Sequence, residues 1–149
     1  MSEQDGIFSV SRHIRFGDSD PAGIVFYVSF FRMFNDLFES WVVERLGIDF
    51  AREFFDEGRM FPLVHCDVDF RKSRRMGDNL DLALILTGLG RSSIRYTIVG
   101  SDKGEEILRG EFVSCVASKE MGRSVPIPDY LRGPMAEYLA LCRSLEARG

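Results

Sequence analysis

Two histidines and three cysteines in 149 residues narrow the chemistry before any motif is considered. Cys66, Cys115 and Cys142 are odd in number and widely separated, with no C-x-x-C pair and no His/Cys cluster of zinc-ligand spacing. Reduced thiols in a cytoplasmic protein are expected, with no metal and no cofactor. A Ser-His or Cys-His mechanism has little to draw on when only His13 and His65 are present. The net charge of -4 lacks the basic excess that nucleic acid as main partner would require. No apolar run approaches the length of a bilayer span, and the opening Met-Ser-Glu-Gln-Asp-Gly is polar and acidic, unlike a secretory leader. Internal repeats, low-complexity tracts and an interdomain linker are also missing.

What is present is 45% hydrophobic and 28% charged residues, enough for one domain over 1–149 with a real core. Phe8, Val10, Ile14 and Phe16 alternate with polar residues and predict a half-buried strand. From Tyr27 to Leu46 the apolar residues recur at helical spacing, through Phe30, Phe31, Phe34, Phe38, Trp41 and Val42, with Phe26, Met33, Leu37 and Val43 widening the apolar surface. A helix this apolar is expected to be covered on several sides, with Gly47 as its stop. Asp49 to Gly58 reads as a second, short helix. Four strands in meander spacing follow: Val64–Phe70, Leu80–Leu86, Ile94–Ile98 and Ile107–Ser118. Gly77-Asp78-Asn79 and Ser101-Asp102-Lys103-Gly104 are turns. Asp129 opens a final amphipathic helix with a stripe of Leu131, Met135, Tyr138, Leu139, Cys142 and Leu145. The economical arrangement is α+β, an antiparallel sheet of about five strands curled around one long helix. No helices separate the later strands, which excludes a doubly wound parallel sheet.

The stretch from Phe16 to Tyr27, Phe-Gly-Asp-Ser-Asp-Pro-Ala-Gly-Ile-Val-Phe-Tyr, puts two carboxylates in a Gly/Pro turn ahead of a helix N-terminus. Backbone N–H groups there have no partner inside the helix. A carboxylate to attack or deprotonate, and an amide pole to hold an oxyanion, are the two parts that acyl transfer needs. For Asp20 alone, an Asx-turn or helix cap is the commoner use.

The same stretch resembles the signature of the 4-hydroxybenzoyl-CoA thioesterase family of hotdog-fold enzymes, Gly-Asp-x-Asp-Pro-Ala-Gly-Ile-Val-(aromatic)-Tyr. Arg32, Pro62, Phe70 and Gly77-Asp78 extend the likeness more weakly along most of the chain. The resemblance implies a hotdog fold, a homodimer or dimer-of-dimers tetramer with sites at the dimer interface, and an acyl-CoA substrate whose coenzyme A is part of the substrate. Asp20 matches the catalytic carboxylate, Gly23 belongs to the catalytic turn, and Tyr27 matches the residue whose backbone N–H polarises the thioester carbonyl. Asp18 is left to organise the turn. Attack on the carbonyl and general-base activation of water are both open to Asp20.

Two departures bear on the substrate. The family's acidic residue that receives a phenol is Asn35 here, so a hydroxyl still finds a hydrogen-bonding partner but no charge. The basic run expected to meet coenzyme phosphates is reduced to Arg91, while Arg71-Lys72-Ser73-Arg74-Arg75 forms a stronger cluster in which Arg74 and Arg75 are candidates. The default for such a run is a solvated strand end. Phe31 is a candidate for the wall of an apolar acyl site. His65, Asp67 and Asp69 share a strand face, and a hydrogen-bonded sheet surface rather than a metal site is the expectation. An acyl-carrier-protein thioesterase and a non-catalytic acyl-thioester-binding module are the alternatives. A hydratase is disfavoured because no histidine follows Asp20 before His65.

Overall fold

The computed structural model describes residues 6–148, so Met1–Asp5 of the acidic leader stretch lie outside the described residues. In chain order the elements are β1 (Phe8–His13), α1 (Tyr27–Ser40) continued by a π-helical turn (Trp41–Arg45), α2 (Phe50–Phe55), β2 (Arg59–Met60), β3 (Leu63–Phe70), β4 (Asn79–Leu89), β5 (Ser93–Asp102), β6 (Glu105–Cys115), β7 (Ala117–Ser118), β8 (Arg123–Ser124) and α3 (Asp129–Arg148). A single 3-10 turn, Phe16–Asp18, lies between β1 and α1.

The main sheet has five antiparallel strands in the order β1-β4-β5-β6-β3. Here the structure corrects the expected four-strand meander. Only β4, β5 and β6 form consecutive hairpins; β3 pairs with β6, while β1 pairs with β4. Residues 71–78 therefore carry the chain from one edge of the sheet to the other side of the meander, and Gly77-Asp78 ends that crossover rather than closing a hairpin. Spacing could not reveal this, because a turn signal looks the same in both settings.

Register puts Leu80, Leu82, Leu84 and Leu86 of β4, Tyr96 and Ile98 of β5, and Leu108 and Phe112 of β6 on one face. α1 lies against that face. Its residues Phe30, Met33, Phe34, Leu37 and Phe38 are buried at i, i+3, i+4, i+7 and i+8, and the rings of Phe34 and Phe38 sit 5.3 Å from those of Phe112 and Tyr96. The helix is covered on this face alone, however. Phe26, Tyr27, Val28, Phe31 and Val43 remain exposed, against the expectation of burial on several sides.

The helix winds out through the π turn and stops at Gly47, whose φ of +70° suits glycine. The Ile48 N–H reaches back to the Val42 carbonyl at 3.1 Å to close the end. α2 begins where the Asp49 carboxylate accepts the Arg52 N–H at 3.0 Å. α3 packs across β4 by Leu131, Met135, Tyr138, Leu139 and Cys142. Its Tyr138 hydroxyl donates to the Leu84 carbonyl at 2.6 Å and accepts the Phe8 N–H at 2.8 Å, so one side chain ties α3, β4 and β1 together.

No helix among the described residues is long and apolar enough to cross a membrane.

Candidate active site

The turn after β1 is a small hairpin. The Asp20 carbonyl accepts the Gly23 N–H at 2.9 Å, the Asp20 N–H donates to the Ile24 carbonyl at 2.9 Å, and Ser19 bridges to Val25. Pro21 supplies the fixed φ of the turn's second residue. Gly23 adopts φ +83°, the left-handed conformation that returns the chain after a three-residue loop. Outside the hairpin, the Val25 N–H donates to the Arg74 carbonyl at 2.8 Å and the Phe26 N–H to the Asp18 carbonyl at 2.9 Å, so the turn is anchored at both ends.

The two carboxylates are used differently. Asp18 is occupied on both oxygens, accepting the Arg15 N–H at 2.9 Å and pairing with Arg12 at 3.2 Å. Asp20 accepts the Ala22 N–H at 2.8 Å through Oδ1, which is the Asx-turn expected of an aspartate in this position. Its Oδ2 has no protein donor among the described residues, so the turn fixes the carboxylate and leaves one oxygen for other work. Asp20 opens on a cleft shared with Phe16, Ser19, Pro21, Gly23 and Met76. Phe16 and Met76 are 81% and 58% exposed, apolar side chains presented to solvent beside the carboxylate.

Tyr27 is the first residue of α1. No side chain caps that end, and its N–H finds no acceptor among the described residues. An unpaired N–H at the positive pole of a helix of fourteen residues is suited to an oxyanion. Tyr27 is not among the residues lining the Asp20 cleft.

Phe31 and Asn35 meet in a second, aromatic cleft of about 60 Å³, with Phe38, Leu63, Tyr96 and Ser114 among its walls. Asn35 is eight residues along the helix from Tyr27, about 12 Å at the helical rise. Neither Tyr96 nor Ser114 was a sequence candidate. The signal available was a tyrosine placed among the apolar positions Ile94 and Ile98 of β5, a polar tip facing the core. Their hydroxyls bond each other at 2.9 Å while both residues are buried. Burial pushes the Tyr96 phenol up to about 12, outweighing the lowering bond from Ser114, so it stays protonated and able to donate.

The basic cluster is largely neutralised within the chain. Arg74 pairs with Asp102 at 2.7 Å, Arg71 with Glu106 at 2.8 Å, and Lys72 with Glu105. Arg75 makes no ion pair among the described residues, and its backbone bridges to Ile24 beside the Asp20 turn. Arg91 is also exposed and unpaired, but it follows the far end of β4. Eleven strand residues separate it from the Asp20 turn, about 35 Å at the rise of a strand. His65, Asp67 and Asp69 lie exposed on the edge strand β3, and no group of three or more His, Cys, Asp or Glu among the described residues could hold a metal ion.

The model of a family described as the thioesterase-like superfamily matches residues 14–134. The chain belongs to that superfamily. Within it, the chain is 30% identical over 127 residues to a 1,4-dihydroxy-2-naphthoyl-CoA hydrolase of Synechococcus elongatus, covering 84% of this chain and 92% of the relative. A solved 1,4-dihydroxy-2-naphthoyl-CoA thioesterase from Synechocystis superposes with a TM-score of 0.79 at 21% identity, over 89% of this chain and 97% of that one. The gentisyl-coenzyme A thioesterase BH1999 superposes at 0.76 with 24% identity, over 85% and 98%. The hotdog fold expected from the Phe16–Tyr27 stretch agrees with these structures, and thioester hydrolysis as the class of activity agrees with the superfamily.

Proposed function

We propose that this thioesterase-superfamily protein hydrolyses a small aryl-CoA in the cytoplasm, with Asp20 as nucleophile or general base and the Tyr27 N–H holding the oxyanion. The observation that carries the reading is the Asp20 carboxylate, fixed by its own turn through Oδ1 with Oδ2 unoccupied. In the nucleophilic route Oδ2 adds to the thioester carbon, the C–S bond breaks and coenzyme A leaves as a thiolate that takes a proton from water. A second water then opens the mixed anhydride and restores the carboxylate. In the general-base route Oδ2 takes a proton from the attacking water, and the same acid and thiol result. Either way, negative charge grows on the carbonyl oxygen, which an unpaired helix-pole N–H stabilises. An aromatic acyl group is favoured by the ring-lined cleft at Phe31 and Asn35, and by the naphthoyl-CoA named for the relative.

The working unit in this reading is a homodimer across β3. That strand is an edge of the main sheet with free backbone groups, and it exposes Leu63, Val64 and Phe70. Phe70 touches Phe30 near the start of α1, at 5.0 Å between rings, whereas Leu63 lies at the aromatic cleft beside Asn35. Antiparallel pairing of two β3 edges would bring the partner's helix N-terminus beside this cleft. That accounts for the exposed apolar surface of α1 and for the separation of Tyr27 from Asn35 within one chain. Of the expected basic candidates, Arg91 and Arg75 are those without an ion pair among the described residues and so those left to meet coenzyme phosphates.

A thiol-release screen over short, medium, long and aromatic CoA esters tests the reading. Turnover highest with aryl-CoA is expected; background release with every ester would overturn it in favour of a carrier-protein or binding role.

A further inference from the structure

In the aromatic cleft the polar groups are few and specifically disposed. Tyr96 on β5 and Ser114 on β6 are 4% and 2% exposed, and their hydroxyls share one hydrogen bond of 2.9 Å. Two hydroxyls carry two protons, and one bond between them uses only one. Whichever oxygen donates, the other O–H is left over, and neither hydroxyl has a further hydrogen-bond partner among the described residues. A buried donor without an acceptor is costly and rarely retained without a purpose. The rings of Phe31, Phe34 and Phe38 in the surrounding walls carry no polar side-chain atom to take that proton. Asn35, across the cleft on α1, adds an amide that can accept and donate.

Resting on the aryl-CoA reading above, we infer that Tyr96 and Ser114 form a two-hydroxyl recognition site for an oxygen substituent on the ring of the acyl group. The spare O–H donates to the ring oxygen, and the acyl group's own hydroxyl donates onward to Asn35 or to the second lone pairs of the two hydroxyls. The pair makes no contact with the thioester in this role. It selects among rings and leaves the carbonyl chemistry to the helix pole and Asp20. Such a site rejects an unsubstituted ring, because that ring strands the buried donor.

The test is a ratio, so that a general loss of activity cancels. For wild type, Tyr96→Phe, Ser114→Ala and the double variant, kcat/KM is measured with 2-, 3- and 4-hydroxybenzoyl-CoA and with benzoyl-CoA. Wild type is expected to favour at least one hydroxylated ester by roughly tenfold or more. Each single variant should reduce that preference, and the double variant should abolish it. Equal losses on all esters, or a preference that survives in the double variant, would overturn the inference. Calorimetric binding of hydroxyphenacyl-CoA and phenacyl-CoA thioethers, which cannot be hydrolysed, separates the two readings. A hydroxyl preference in binding that the double variant loses sustains the recognition site even if no ester is turned over. Equal binding of both thioethers by folded wild-type protein overturns it, whatever the outcome for hydrolysis.

Discussion

The Asp20 carboxylate accepts the Ala22 N–H at 2.8 Å through one oxygen and holds the other clear of the protein. An asparagine retains the accepting oxygen and loses the charge. Asp20→Asn should therefore keep its unfolding midpoint and its affinity for an aryl-CoA while kcat falls on the order of 10²–10⁴-fold. Steady-state kinetics beside a urea melt check this, and near wild-type turnover would contradict the mechanism.

Gly23 holds φ +83° with open space where a Cβ would stand. A side chain there meets no obstacle, so the penalty is confined to the backbone. Gly23→Ala should cost about 1–2 kcal/mol and lower kcat as the turn relaxes, whereas Gly23→Asn, which tolerates the left-handed region, should cost less. Denaturant midpoints for the two variants distinguish strain from lost packing.

Tyr138 serves a donor and an acceptor on two different strands. Tyr138→Phe strands the Phe8 N–H and the Leu84 carbonyl, and a loss of about 2 kcal/mol is expected. Thermal unfolding of the variant measures it; a change under half that size would mean water replaces the phenol at both groups.

Alkaline titration should be steep. Burial raises the Tyr96 phenol to about 12 and raises Tyr138 as well. Unfolded phenols ionise at about 10, so above that pH the unfolded chain releases protons first. The stabilisation is complete below about pH 10 and is lost as pH rises toward 12. Phenolate absorbance followed together with circular dichroism should show these rings ionising as the fold is lost. Ionisation at their ordinary pKa in folded protein would contradict it.

Val64 stands exposed on the edge strand. Val64→Lys leaves the core untouched and puts a charge on the proposed edge pairing, the device by which edge strands resist association. Sedimentation should show the proposed dimer dissociating, with thiol release declining in parallel. A variant that is monomeric and fully active would remove the partner from the site.

Much of this was legible in the residues themselves. Alternation located β4 and β5 because their Leu and Ile positions share the buried face of the sheet, and Asp20-Pro21-Ala22-Gly23 announced a turn because each residue type has its own reason to be there. Pairing was less legible: β3 alternates as well as the others, yet nothing local says that its partner is β6. The cationic run at 71–75 was misleading for a similar reason. Glu105, Glu106 and Asp102 lie some thirty residues away in the chain, and only the β5–β6 hairpin brings them to Arg71, Lys72 and Arg74. Tyr96 and Ser114 eighteen residues apart became a pair by the same register.

The crossover from β3 to the far side of the meander also sets an order for assembly. β1 and β3 are synthesised before β4 and β6, the strands on which they close. Until Cys115 has emerged, the Phe-rich stripe of α1 has no complete sheet to cover it. Such non-local closure slows folding and exposes sticky surface on a growing chain, so the helix that later carries the amide pole is, during synthesis, the segment most in need of protection.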